Sequence, residues 1–270
     1  MVETIAVGKA PFVGASPPER PPIPLSVVGM AKTVLSNFVH LYRTSAPAGI
    51  YLAYASTLTT RFRIKRQYRA QESDFREAMR AGRFSTDWFS VKIPFWIHAF
   101  DVLGEQGKSL DVLEIGSWEG MSACFILKML PRARVTCVDT WAGSDEHVGM
   151  EALDRIEANF DCNTAGYSDR LTKLKQPSAV FFASCPEQSQ FDFVHIDGSH
   201  HARDVMIDVT RGFAHLRVGG LMILDDYLWR DYSRLSDNPA VAINVFLKTN
   251  AGKYAFVLVN YQVFLRKIAA

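Results

Sequence analysis

No run of about 18 apolar residues occurs in the 270-residue chain, so no segment reads as a helix that spans a bilayer. Cysteine is scarce. The four present, Cys124, Cys137, Cys162 and Cys185, never form a C-x-x-C pair, which removes the usual zinc-ribbon and redox signatures and predicts buried, reduced thiols in a cytoplasmic protein. Proline is thin beyond residue 24, because six of the twelve lie before it. Their density there predicts a disordered or extended tail over 1–28. That tail lacks a charged stretch followed by an apolar one, which argues against a secretory signal, while its few acids leave an organellar transit peptide open. Acidic residues are also sparse further on: residues 1–80 hold 11 Lys+Arg against 5 Asp+Glu, whereas the rest of the chain holds 19 against 23.

The basic excess belongs to a helical extension expected over 29–83. Apolar residues recur at helical spacing from Leu25 to Tyr42 and gather again from Tyr51 to Leu58, ahead of the basic run Arg61–Arg69. A solvated helix face is the plainest account of that run. Packing on the core, peripheral contact with an anionic membrane and pairing between subunits of a homo-oligomer stay open, and no nucleic-acid partner is expected.

From residue 84 onward strands alternate with helices. Val112–Ile115 is a short apolar run that breaks at Gly116, Ser122–Leu130 reads as a helix stopped by Pro131, and Arg134–Asp139 is a second strand closing on a carboxylate. Further strands follow at Arg170–Lys175, Phe191–Asp197 and Leu221–Asp226, the last after a helix over Ala202–Leu216 that stops at Gly219-Gly220. Two terminal strands, Tyr254–Asn260 and Gln262–Lys267, read as an antiparallel pair. The fold class is therefore α/β: a Rossmann-like three-layer α/β/α sandwich on a mostly parallel seven-stranded sheet with an antiparallel C-terminal strand, occupying 84–270. Upstream of the first strand, Phe84–Trp96 is rich in aromatics, which suits either a lid over a ligand or ordinary packing on the sheet.

Ligands of open α/β sheets bind beyond the carboxyl ends of the strands. The loop framed by Gly116 and Gly120 lets a backbone approach a ligand closely, and Asp139 at the next strand end is placed to bridge two ribose hydroxyls, so a nucleoside is expected. Three residues separate the two glycines, which does not satisfy the G-x-G-x-x-G fingerprint of dinucleotide binding. Asp197, Asp225 and Asp226 close neighbouring strands on the same rim. With no Lys or Arg beside them in sequence, they would repel one another unless a hard divalent cation such as Mg²⁺ sat among them. His200 and His201 follow Asp197 closely; either could take a proton from an acceptor hydroxyl or simply start a helix.

VLEIGSWEG (112–120), CVDTWAGSDEH (137–147), FDFVHIDGSHHARDV (191–205), LRVGGLMILDDYLW (216–229) and YQVF (261–264), with TDWFS (86–90), closely resemble the methyltransferase-24 group of class I S-adenosylmethionine-dependent methyltransferases. Within that class the chain is similar to the metal-dependent O-methyltransferases of macrolide sugars, and more distantly to catechol O-methyltransferase. The resemblance implies that Glu114, Gly116, Ser117 and Gly120 line the methionine side of S-adenosyl-L-methionine, that Asp139 holds the ribose, and that Trp141 and Ser178 lie near the adenosine and its base. It further implies Mg²⁺ on Asp197, Asp225 and Asp226, with His200 as the catalytic base. The implied reaction is methyl transfer to a hydroxyl of a small molecule or glycan. Two features depart from the family: the lysine that catechol-type enzymes carry near the metal has no counterpart in these motifs, and residues 1–80 match no part of it. An NAD-dependent oxidoreductase is disfavoured by the missing third glycine and the three acids, and a non-catalytic cofactor-binding scaffold is the remaining alternative.

Overall fold

The computed structural model describes residues 27–104, 107–147, 149–150 and 153–270. The expected proline-rich tail lies, up to residue 26, outside the described residues. The chain divides into two units, 1–36 and 37–270, and the second contains the whole sheet. Helix α1 (Val27–Arg43) runs across that boundary. It is followed by α2 (Ala48–Gln67), α3 (Arg69–Met79) and α4 (Ile93–Leu103). Then come β1 (Asp111–Ile115), α5 (Met121–Met129), β2 (Arg134–Asp139), α6 (Ile156–Thr164), β3 (Leu171–Lys175) and α7 (Ser178–Ser184). The chain finishes with β4 (Phe191–Ile196), α8 (Ala202–Ala214), β5 (Leu216–Leu224), α9 (Pro239–Thr249), β6 (Tyr254–Val259) and β7 (Val263–Lys267).

The seven strands lie in the order β3-β2-β1-β4-β5-β7-β6, with β7 antiparallel to both neighbours and the first five strands parallel. Crossing from β1 to β4 reverses the direction of winding, and such a switch point opens a crevice at the strand ends. Register decides what meets there. Ile115 pairs with Val138 on one side and Ile196 on the other, and Ile196 pairs with Leu224. The residues that come next, Asp139, Gly116, Asp197 and Asp225, therefore stand side by side on one rim.

Alternate residues of each parallel strand face opposite layers. Val112, Val135, Phe193 and Ile223 pack with Phe75, Phe89, Trp96 and Phe125 from the helices on one face. Leu113, Val138, Val194 and Met222 pack with Val209, Phe213, Ile243 and Phe246 on the other. The fifth strand starts earlier than the sequence suggested. Gly219 and Gly220 lie within it rather than ending a helix, because Leu216 already pairs with Phe191 and a Cβ at Gly220 would stand 2.7 Å from the Asp192 carbonyl. Cysteine reads only partly as expected: Cys124 and Cys137 are buried, Cys162 is exposed, and all four are free.

Residues 37–83, most of the helical extension expected over 29–83, fall in the same unit as the sheet, one of the arrangements the sequence left open. The apolar patch and the basic residues Arg61, Arg63, Lys65 and Arg66 share helix α2, and the run passes Tyr68 into α3 at Arg69. Tyr54 and Ile64 of α2 are buried, as is Tyr68 between the two helices, while Arg63, Lys65 and Arg66 are exposed. Helix α2 lies against β6, the last strand of the sheet. Thr57 Oγ1 accepts the Val259 N–H at 3.1 Å, and a Cβ at Gly49 would come within 2.8 Å of the Phe256 ring, so the two backbones pack closely. An uncovered edge strand invites pairing with another chain, and this helix removes that hazard. Among the described residues no helix is long and apolar enough to cross a membrane.

Phe125 sits at the centre of the aromatic layer, fully buried, with ring centroids of Phe75 and Phe89 each 5.2 Å away and Trp96 and Phe100 at 6.1 Å. Phe125→Ala is expected to cost about 3–5 kcal/mol of unfolding free energy, measured by chemical denaturation.

Candidate active site

The rim begins with the turn after β1. Gly116 has φ +84, and a Cβ there would stand 1.9 Å from the Asp197 carbonyl oxygen, so the ends of β1 and β4 are pressed together as only glycine allows. Beyond it the Ser117 and Trp118 N–H groups both donate to Asp139 Oδ2, at 2.8 and 2.9 Å, while Asp139 Oδ1 accepts the Trp141 N–H at 2.7 Å. Asp139 is thus first the clasp of the glycine turn. Its two oxygens keep one further lone pair for a ligand hydroxyl.

One cavity of about 1240 Å³ runs along the rim. Gly116, Ser117, Asp139 and Ser178 line it, and so do Asp197, His200, Asp226 and Tyr261. Trp88 and Phe89 border it from the upstream segment, with Trp88 5.4 Å from Trp118 and 5.7 Å from His147. Of the aromatic stretch, Trp88 and Phe89 line the cavity, and Trp96 is core, its indole N–H bonded to Gln262 at 3.0 Å.

Three residues expected to touch the cofactor stand behind the cavity instead. Trp141 is buried against Phe160, 4.8 Å between ring centroids, and its indole N–H holds the Trp118 carbonyl at 2.8 Å; the tryptophan that lines the cavity is Trp118. Gly120 caps the start of α5 beneath the turn, where a Cβ would press on Phe160 and Thr164. Glu114 is fully buried, accepting from Ser117 Oγ at 2.7 Å and lying 3.1 Å from His195 Nδ1. It points to the wrong face of β1 for ligand contact, so it supports the turn from below.

The three aspartates do converge, but they are not equivalent. Asp197 and Asp226 line the cavity. Asp225 lies beneath them, its side chain 1% exposed, and it is already committed. Lys92 Nζ stands 2.5 Å from Asp225 Oδ2, Gln262 Nε2 donates to the same oxygen at 2.8 Å, and the Asp226 N–H donates to Oδ1 at 2.8 Å. This corrects the expectation that no lysine lies near the acids. The cation comes from 105 positions upstream of Asp197, in the 3-10 turn Ser90–Lys92, where no local motif announces it.

Charge balance follows from that placement. Burial works against the Lys92 ammonium, yet Asp225, Asp197 and Asp226 offset it and hold the amine above the ordinary lysine range. Burial likewise opposes ionisation of Asp225, but Lys92 and His195 keep its carboxyl well below the usual range. Asp197 goes the other way: burial, then the Asp225 charge, push it well above, against the pull of Lys92. A carboxyl raised by neighbouring carboxylates is one that an added cation would stabilise in its charged form. The donors suit a hard divalent ion. Ligand atoms of Asp197, His200 and Asp226 lie within 4.8 Å of one another, as do those of His195, Asp197 and Asp225.

The histidines separate clearly. His200 Nε2 is 2.7 Å from Asp226 Oδ2 inside the cavity, with Trp229 4.8 Å from its ring. His201 is tied to Asp145 at 3.0 Å and stacked on Tyr232 at 4.3 Å. His195, unremarked in sequence, is fully buried under the acids, 3.7 Å from Asp225 and 3.9 Å from Asp197 through Nε2. Tyr261 also escaped notice; burial and the Asp226 carboxylate that its hydroxyl bonds raise its pKa.

A parallel five-strand core, a glycine turn clasped by the next strand's acid, and acids at the following strand ends give the chain a Rossmann-like methyltransferase fold. Residues 113–227 match a family model, methyltransferase-24, described as a methyltransferase domain. Among solved structures, MycE, a methyltransferase of the mycinamycin biosynthetic pathway in complex with Mg and SAH, aligns at TM-score 0.49 and 19% identity over 68% of this chain and 51% of its own. The chain thus spans about half the length of MycE. A protein of Klebsiella pneumoniae described as an O-methyltransferase aligns at TM-score 0.50 and 15% identity, covering 77% of this chain and all of its own. The O-methyltransferase of Bacillus cereus in complex with SAH aligns at 0.46 and 14% identity, over 81% of this chain and all of its own. At these identities the likeness is one of fold. No curated protein matches the chain.

Behind Ser178 lies Asp208 of α8, 2% exposed, with Oδ1 lacking a hydrogen-bond partner. Burial pushes its carboxyl up to about 7, with Asp204 adding to the shift and the Ser178 hydroxyl opposing it. The unfolded chain would ionise this group near pH 4, about 3.9 for an unperturbed aspartate. Folding stability should therefore fall as pH rises from about 4 and level off above about 7. Asp208→Asn is expected to flatten that slope in denaturation curves taken between these pH values.

Proposed function

We propose that the chain is an S-adenosylmethionine-dependent O-methyltransferase, assisted by a divalent cation such as Mg²⁺, that acts on a hydroxyl of a small molecule or sugar. The observation that carries this reading is one cavity lined both by the glycine turn with Asp139 and by Asp197, Asp226 and His200. Its volume has room for a nucleoside and an acceptor together.

S-adenosylmethionine, when bound, supplies an electrophilic sulfonium methyl; the cation, when bound, lowers the pKa of an acceptor hydroxyl. The protein's own groups do the rest. Gly116 and Ser117 present backbone at the turn, and Asp139 offers a lone pair to a ribose hydroxyl. Ser178 lines the cavity where the base would rest. Asp197 and Asp226 would hold the cation, as the carboxylates that face the cavity. The acceptor proton leaves to His200, whose ring is held in place by Asp226 and Trp229. Trp88 and Phe89 keep bulk water from that space, which strengthens each electrostatic contact inside it.

S-adenosylhomocysteine is expected to raise the melting temperature, and NAD to leave it unchanged. Asp139→Ala should weaken S-adenosylhomocysteine about tenfold or more in calorimetry, the loss of roughly one buried charge-assisted hydrogen bond. Methyl transfer from labelled cofactor should stop in EDTA and return on adding Mg²⁺. Full activity in chelator would remove the cation from this reading while leaving the cofactor site intact.

A further inference from the structure

The acid group has a cation of its own, built from a residue outside every strand-end motif. Lys92 reaches Asp225 from the turn that follows the aromatic wall, and its side chain is only 14% exposed. Both oxygens of Asp225 already accept hydrogen bonds: Oδ2 from Lys92 and Gln262, Oδ1 from the Asp226 N–H. A divalent ion on Asp225 would have to displace an ammonium and an amide from a carboxylate whose side chain is 1% exposed. Asp197 and Asp226 face the cavity; Asp226 Oδ2 lies 2.7 Å from His200 Nε2, and neither acid has a lysine or arginine at hydrogen-bond distance among the described residues.

We infer that Lys92 is the resident cation of the acid group: it takes Asp225 out of the metal's ligand set, leaves Asp197 and Asp226 to carry a divalent ion, and opposes that ion electrostatically. This rests on the divalent-cation reading above, not on the cofactor site. Lys92 acts here as a positioning residue, since its partner is a carboxylate and not a reacting atom. Two like charges that share a group of acids compete for the same field, so the ammonium lowers the ion's affinity while it stabilises the empty rim. The arrangement also ties the cavity wall to the floor, because Lys92 follows Trp88 and Phe89 by only a few residues.

The test is a titration of Mn²⁺ into the full chain by calorimetry, without cofactor or acceptor. Lys92→Met is expected to bind Mn²⁺ at least tenfold more tightly than wild type, and Lys92→Arg about as wild type does. The double variant Lys92→Met/Asp225→Asn removes both buried charges together, so it leaves neither unpaired and should fold even where the single variant does not. It is expected to bind within about threefold of wild type, and Asp226→Asn to lose tenfold or more. Binding by Lys92→Met but not by wild type would support the inference in its strongest form. A double variant that loses the ion would show Asp225 to be a ligand and overturn it, as would a Lys92→Met protein that binds no tighter. Absence of binding in every variant overturns it too; S-adenosylhomocysteine binding, measured on the same samples, then decides separately whether the methyltransferase reading stands.

Discussion

The structure depends on the parallel register of four adjacent strands, β2, β1, β4 and β5. Hydrogen bonds fix Val138, Ile115, Ile196 and Leu224 opposite one another, and whatever follows them in sequence is delivered to the same rim. A slip of one residue in any of these strands would send its terminal acid to the other face. The contact between Gly116 and the Asp197 carbonyl locks this register at its most crowded point, since no side chain fits there.

Beneath the rim lies a buried polar layer. Glu114 on β1 pairs in register with Cys137 on β2 and His195 on β4, all on the face that otherwise packs aromatics. Each of these groups is costly to bury alone. Together with Asp225, Lys92 and Gln262 they form one connected set in which nearly every charge has an opposite partner. That set carries the rim acids from below: against the cost of burial, Lys92 and His195 hold the Asp225 carboxyl below the usual range, whereas burial and the Asp225 charge push that of Asp197 above it. The cavity face and the buried face thus have different work: the first meets ligands, the second sets the field in which they bind.

The helices ahead of β1 complete both ends of this arrangement. Helix α2 covers β6 at the sheet's edge, and the segment between α3 and α4 supplies the cavity wall and the lysine. From residue 37 the helical extension is part of the unit that holds the sheet.

Read alone, the sequence determined the alternation of strands and helices, the glycine turn, the acids at the strand ends and the antiparallel close of the sheet, because each of these is written in local periodicity and in residues a few positions apart. It could not decide which side of a strand Glu114 and Trp141 take once the turn bends, nor distinguish His200 from His201, since those depend on which neighbour lies within 3 Å. Least of all could it pair Lys92 with Asp225, 133 residues apart. A buried ion pair joins groups by distance in space, and only the packed tertiary structure sets that distance.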